Sequence, residues 1–114
     1  MEHFFTKNHF FLISIGAIPA AILRWQIGEI VIVNTIGCFF LGFINSLSIS
    51  NRYKLIFSFG FCGSLTTFSG WSSQLFFLIN QGFYKLFFFN LILIAIFGFV
   101  AYIFGNLIAK QIIN

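Results

Sequence analysis

Acid is almost missing from this chain. Of 114 residues only two are Asp or Glu, and both are glutamates. Glu2 belongs to the leading segment and Glu29 to the start of a long apolar run, so no carboxylate lies inside any such run. The scarcity excludes several functions. A proton-coupled exporter needs a group that titrates at membrane depth, and a cation path wants carboxylates there. Enzymatic hydrolysis is excluded as well, because a nucleophile needs a base. His3 and His9 both fall in the N-terminal tail, where they read as solvated. The chain is therefore expected not to be an enzyme. Cysteine is scarce too. Cys38 and Cys62 fall inside apolar runs with no His or acid at ligand spacing. They read as small apolar residues, not as a disulfide or a metal site.

Charge of either sign amounts to 7% of the residues, against 60% hydrophobic. A water-soluble domain carries about 25% charged residues. Nothing here could cover a surface facing water, so the solvent must be lipid. Open strand edges are unsatisfied in lipid, which leaves helices. The expected fold class is an all-α integral membrane protein. A span needs roughly 20 apolar residues. Four segments are expected to cross, at about 10–25, 30–49, 55–79 and 86–109, and polar punctuation separates them. The first is short, but Arg24-Trp25 leads directly into the next run, so it reads as a retained span and not as a cleaved signal. No linker or soluble appendage interrupts the pattern, and residues 1–114 are expected to form one four-helix transmembrane domain.

The net charge of +4 is too small and too scattered for a nucleic-acid site. With four spans, Lys7, Arg52, Lys54 and Lys110 share one side, and Arg24 and Lys85 the other. Positive residues favour the cytoplasmic side, but a ratio of four to two specifies orientation weakly. Mixed orientation is compatible with it. Four thin helices enclose little volume, so a homodimer or larger assembly is expected. On the fourth span Ala95, Gly98, Tyr102, Gly105 and Ala109 recur at three- and four-residue steps. Small residues let backbones approach closely in lipid. Contact within the chain and contact between subunits both fit that face. The 20 phenylalanines are spread over all four spans, and nucleotide bias explains such a number without function.

What the spans do hold is neutral and rich in donors: Asn34, Thr35, Asn45, Thr66, Thr67, Ser69 and Asn90. Such groups solvate an anion through N–H and O–H bonds. Asn34 and Asn45 are three helical turns apart and share a face. Asn45, near the span's end, reads as an interhelical hydrogen-bonding residue, while for Asn34 that role and an ion-contacting one stay open. The third span contains GSLTTFSGW, Gly63 to Trp71. Gly60 and Gly63 each weaken a helix by roughly 1 kcal/mol relative to Ala, and the hydroxyls of Thr66, Thr67 and Ser69 compete for backbone groups. An interrupted helix with freed carbonyls is expected, and rings of carbonyls suit hard cations such as Na⁺. Phe68 and Trp71 follow, three apart on one face. Aromatic edges are positive and can contact an anion.

GAIPAAILRW at Gly16–Trp25, NTIGCFFLG at Asn34–Gly42 and GFCGSLTTFSGW at Gly60–Trp71 together resemble the Fluc (CrcB) fluoride channels. The similarity runs from about Gly16 to Gly105, and the Gly-x-x-Thr-Thr-Phe-Ser core is its most specific part. The resemblance implies a passive fluoride-selective channel in a bacterial plasma (inner) membrane. It implies an antiparallel, dual-topology homodimer whose third helices are broken, with a structural Na⁺ at the dimer centre. By motif position Gly63 and Thr66 would supply the Na⁺ carbonyls. Asn34 matches a pore asparagine and Phe68 the first of two pore phenylalanines. Thr67 and Ser69 would line the pathway, and Arg24 would sit at a vestibule. Asn90 aligns with a pore tyrosine. The chain departs from the family pattern at Trp71, which replaces the second phenylalanine, and at Ser64, Gly70 and Ile94. Two rivals remain at this stage. A small dual-topology multidrug exporter would need an acid in the first span, which has none. A non-conducting partner subunit of a heterodimeric fluoride channel would keep the motifs without the flux.

Overall fold

The computed structural model describes residues 7–113, and every regular element among them is helical. Glu2 and His3 lie outside the described residues. Helix α1 spans Lys7–Ile27 and α2 spans Ile30–Asn45. The third expected span is a composite. It comprises α3 (Asn51–Lys54), a wide-turn π-helical stretch (Leu55–Cys62), α4 (Gly63–Leu65) and α5 (Phe68–Asn80). Helix α6, Tyr84–Ile113, closes the chain.

The ends have local causes. Gly28 stops α1 in the left-handed region at φ 74°, its N–H donating to Arg24 O at 3.0 Å. Gly82 (φ 81°) stops α5 in a Schellman turn, with Phe83 N–H reaching Leu78 O at 2.9 Å. Helix α2 ends at Asn45, short of the expected Ile49. There the Ser46 hydroxyl turns back to Gly42 O at 3.2 Å, as serine does when it competes with the ladder. His9 is on the first full turn of α1 and half-buried, not in a solvated tail.

Two helix pairs make up the body. Helix α6 lies along α2 in parallel register: Cys38 faces Gly98, Gly42 faces Tyr102, and Ser46 Oγ bonds Asn106 Oδ1. A Cβ at Gly42 would run into the Tyr102 carbonyl, and one at Gly105 into the Phe39 carbonyl. The small face of α6 is thus used inside the chain, at Gly98, Tyr102, Gly105 and Ala109, while Ala95 is exposed. Helix α1 packs on the π-helical stretch in the same manner, Gly60 against the Ile13 carbonyl and Gly16 against that of Ile56. Ala20, Val33 and Leu65 join the pairs in a small core, with Leu23, Ile27, Ile36 and Phe61 against it. Large apolar side chains elsewhere point outward: Phe10, Phe76, Phe99 and Ile112 are each over 60% exposed.

Two helices, Asn8–Ile27 and Tyr84–Ile113, are long and apolar enough to cross a bilayer. Helix α2, with 16 residues, measures about 24 Å at 1.5 Å per residue, less than the roughly 30 Å of hydrocarbon. The composite third segment reaches span length only as a whole, because it is interrupted.

Candidate functional site

The interruption lies at Thr66–Thr67, where both residues are extended (φ −78°, ψ 152° and φ −140°, ψ 112°). It begins three residues beyond Gly63. Gly63 itself is helical at φ −64°. The hydroxyl residues cause the break, and the bonds show how. In a continuous helix Thr67 N–H would donate to Gly63 O. Here it donates to Asn34 Oδ1 at 2.7 Å, and Asn34 Nδ2 returns a bond to Thr67 O at 3.5 Å. Gly70 N–H would donate to Thr66 O. It donates instead to Thr67 Oγ1 at 2.9 Å, which caps α5. Two diverted donors leave two carbonyls, those of Gly63 and Thr66, without their helical partners. Carbonyl oxygens are the ligand type hard cations take, so the residues present fit the cation expected from the sequence.

Asn34 is therefore the splint that holds the break open, reaching across from α2 to both backbone groups of one residue. Asn34→Leu is expected to orphan a backbone N–H inside the fold. A loss of about 1–3 kcal/mol follows, measurable as a lowered thermal midpoint of the purified protein in detergent. An unchanged midpoint would remove the splint role.

A groove of about 610 Å³ runs beside the break. Asn34, Thr66, Thr67, Phe68 and Trp71 line one end. Phe68 is 76% exposed and sets its ring edge-on to Trp71, centroids 5.7 Å apart at 73°. Trp71 Nε1 is buried without an acceptor, and so, one turn on, is Gln74 Oε1 without a donor. The other end holds residues the sequence reading did not assign to the site: Lys54, Ser58 and Asn45. There Ser58 Oγ donates to Asn45 Oδ1 at 3.4 Å and Asn45 Nδ2 to Tyr102 Oη at 3.1 Å, the interhelical role expected of Asn45. The four-residue step from Lys54 to Ser58 was the available signal, since it places both on one helical face.

A second recess, about 410 Å³, opens on the other side of the break. Arg24, Ser64 and Ser69 line it together with Gly63, Thr66 and Phe68. Ser69 Oγ lies 3.4 Å from Thr67 Oγ1, and Arg24 Nε is buried without an acceptor. Gly63, Thr66, Thr67 and Phe68 border both cavities, so the break is the wall between them. Asn90 is not brought to this cluster. Its Nδ2 donates to Leu86 O on its own helix at 3.2 Å, and α6 contributes Ile94 and Gly98 to the groove instead.

Among the described residues no carboxylate lines either cavity, and Arg24 and Lys54 are the only cationic residues in their walls. An arrangement of amide, hydroxyl and ring-edge groups with flanking cations favours anions.

The family profile described as CrcB-like protein, Camphor Resistance (CrcB), matches residues 11–106. A relative from Prochlorococcus marinus (strain NATL2A), named fluoride-specific ion channel FluC 1, is 55% identical over 106 residues, 93% of either chain. FluC 2 of P. marinus (strain MIT 9313) is 43% identical over 66% of this chain and 60% of its own. The fluoride-specific ion channel FluC of Haemophilus ducreyi is 34% identical over 87% of this chain and 90% of its own. The motifs, the apolar helices and these relatives agree: the chain is a membrane protein, not an enzyme, and belongs to the CrcB family of ion channels.

Proposed function

We propose that this chain is a fluoride-selective channel that lets cytoplasmic fluoride leak out of the cell and so lowers its toxicity. The observation that carries the reading is the groove beside the break, where a neutral donor set and two aromatic rings meet with no acid among them. The relatives' shared name points to the same ion. A dehydrated fluoride needs donors in place of its water. Asn34 and Thr67 hold the backbone open, Thr67 and Ser69 present hydroxyls, and Phe68 and Trp71 present ring edges. Arg24 at one recess and Lys54 at the groove's far end raise the local anion concentration. Asn90 joins the pathway only through a turn of its side chain away from Leu86 O.

The working unit in this reading is an antiparallel homodimer in the bacterial plasma membrane, each subunit crossing four times. Two features support a second copy. Phe68 is largely uncovered by its own chain. The carbonyls of Gly63 and Thr66 supply two oxygens, fewer than hard cations take. A second copy doubles the set at a shared centre. Bound there, Na⁺ would supply positive charge that ties the two broken helices together. Relatives numbered FluC 1 and FluC 2 favour a second reading, in which unequal subunits pair.

Efflux from liposomes carrying the purified protein decides the matter. Fluoride release is expected, measured with a fluoride electrode, without matching chloride release. Equal leak of both ions would sink the reading. Flux that appears only after adding a paralogous chain would move it to the paired form.

A further inference from the structure

Cys38 and Cys62 lie 24 positions apart in the chain and belong to different elements, α2 and the π-helical stretch. The fold brings both to the wall of one groove. Their backbones are close there. A Cβ on Gly37, the residue before Cys38, would lie 3.7 Å from the Cys62 carbonyl. Both thiols are free and both line that wall. Cys62 is 2% exposed and Cys38 half-buried, so Cys38 is the sulfur a solute in the groove meets first.

We propose that this thiol pair is a binding site for a soft monovalent cation of the Cu⁺ or Ag⁺ class, and that its occupancy closes the groove to anions. The ligand set selects the class. Among the described residues no third His, Cys, Asp or Glu completes a group of three, so a four-coordinate zinc site is excluded. Two thiolates with no further ligand suit a soft ion that accepts two-coordinate linear binding. The step balances as two thiols plus M⁺ giving a bis-thiolate complex and two released protons. No oxidant is consumed. The complex carries one negative charge in place of two neutral thiols. That charge would stand beside Asn34 and Thr67, where an anion is expected to pass, and it repels one. The closure part rests on the fluoride-conduction reading, whereas the binding part does not.

Ag⁺, added in a chloride-free nitrate buffer, serves as the probe. Purified protein is expected to bind one Ag⁺ per chain with appearance of thiolate-to-metal ultraviolet absorbance and release of two protons. Cys38→Ser and Cys62→Ser are each expected to abolish the absorbance while leaving the thermal midpoint near that of the unsubstituted chain. In liposomes, Ag⁺ is expected to lower fluoride efflux at least tenfold, with recovery on adding excess dithiothreitol. Efflux from either serine variant is expected to be insensitive. Absence of Ag⁺ absorbance, or equal absorbance in a single-serine variant, overturns the site. Stoichiometric binding with undiminished fluoride efflux overturns closure alone. Should the protein conduct no fluoride at all, the functional reading fails, while absorbance and proton release still decide the site.

Discussion

Phe68→Ile is expected to reduce fluoride efflux to below about one hundredth of the unsubstituted rate, a barrier rise of about 2.7 kcal/mol. The substitution keeps an apolar side chain and removes the ring edge. An anion stripped of water loses a partner that an aliphatic group does not replace, and uncompensated charge in an apolar setting costs several kcal/mol. Phe68 is 76% exposed and takes no part in the buried core, so the chain should fold as before. Matching elution on a sizing column, together with the liposome efflux rate, separates the two effects. Flux within a few-fold of the original would take Phe68 out of the pathway. Loss of the folded assembly would show that the ring's contact with Trp71 is structural instead.

Gly105→Val should do the opposite, breaking the fold without touching the groove. Its Cβ would fall on the Phe39 carbonyl, with Phe43 N 2.9 Å away. Both neighbours are backbone on α2, so neither moves without the helix moving. Overpacking of an ordinary core costs about 1–3 kcal/mol, and backbone atoms yield less than side chains, so the upper end applies. Helix pairs in lipid gain from close packing and not from excluding water, so separating α6 from α2 loses that gain with no compensation. The expected result is loss of the monodisperse peak after detergent extraction. A well-behaved variant with a thermal midpoint within a few degrees of the original would refute the close approach. Ala95→Val is the control. Ala95 is exposed, and no such loss is expected.

Much of the site was legible because its signal is local. GSLTTFSGW announced a broken helix through residue types alone, and a broken helix is there. The break was expected somewhere within Gly63–Trp71, and the structure puts it at Thr66–Thr67. Glycine weakens a helix by losing entropy, but Gly63 tolerates helical φ well. The Thr66–Thr67 pair diverts hydrogen bonds, and a diverted bond is a stronger interruption than a weak propensity. The end of α2 moved for the same reason. Ile49 is apolar enough to continue the span, but the hydroxyl of Ser46 turned the chain four residues earlier.

Composition and spacing by themselves determined the helical class, the apolar exterior and the want of any acid among the spans. These follow from residue type and period, which need no partner to be read. Tertiary structure alone decided pairing. The small face of α6 was open between two uses until Gly42 and Gly105 were seen against backbone carbonyls within one chain. Asn34 was an undecided polar residue until its amide was found on both sides of Thr67. Lys54 and Ser58 joined the site, Asn90 stood apart from it, and Cys38 and Cys62 came to one groove wall; of these only the Lys54–Ser58 step had a signal in the sequence. Which groups share a cavity depends on how helices cross, and crossing is set by backbone contact at a few small residues, not by the polar residues that the contact brings together.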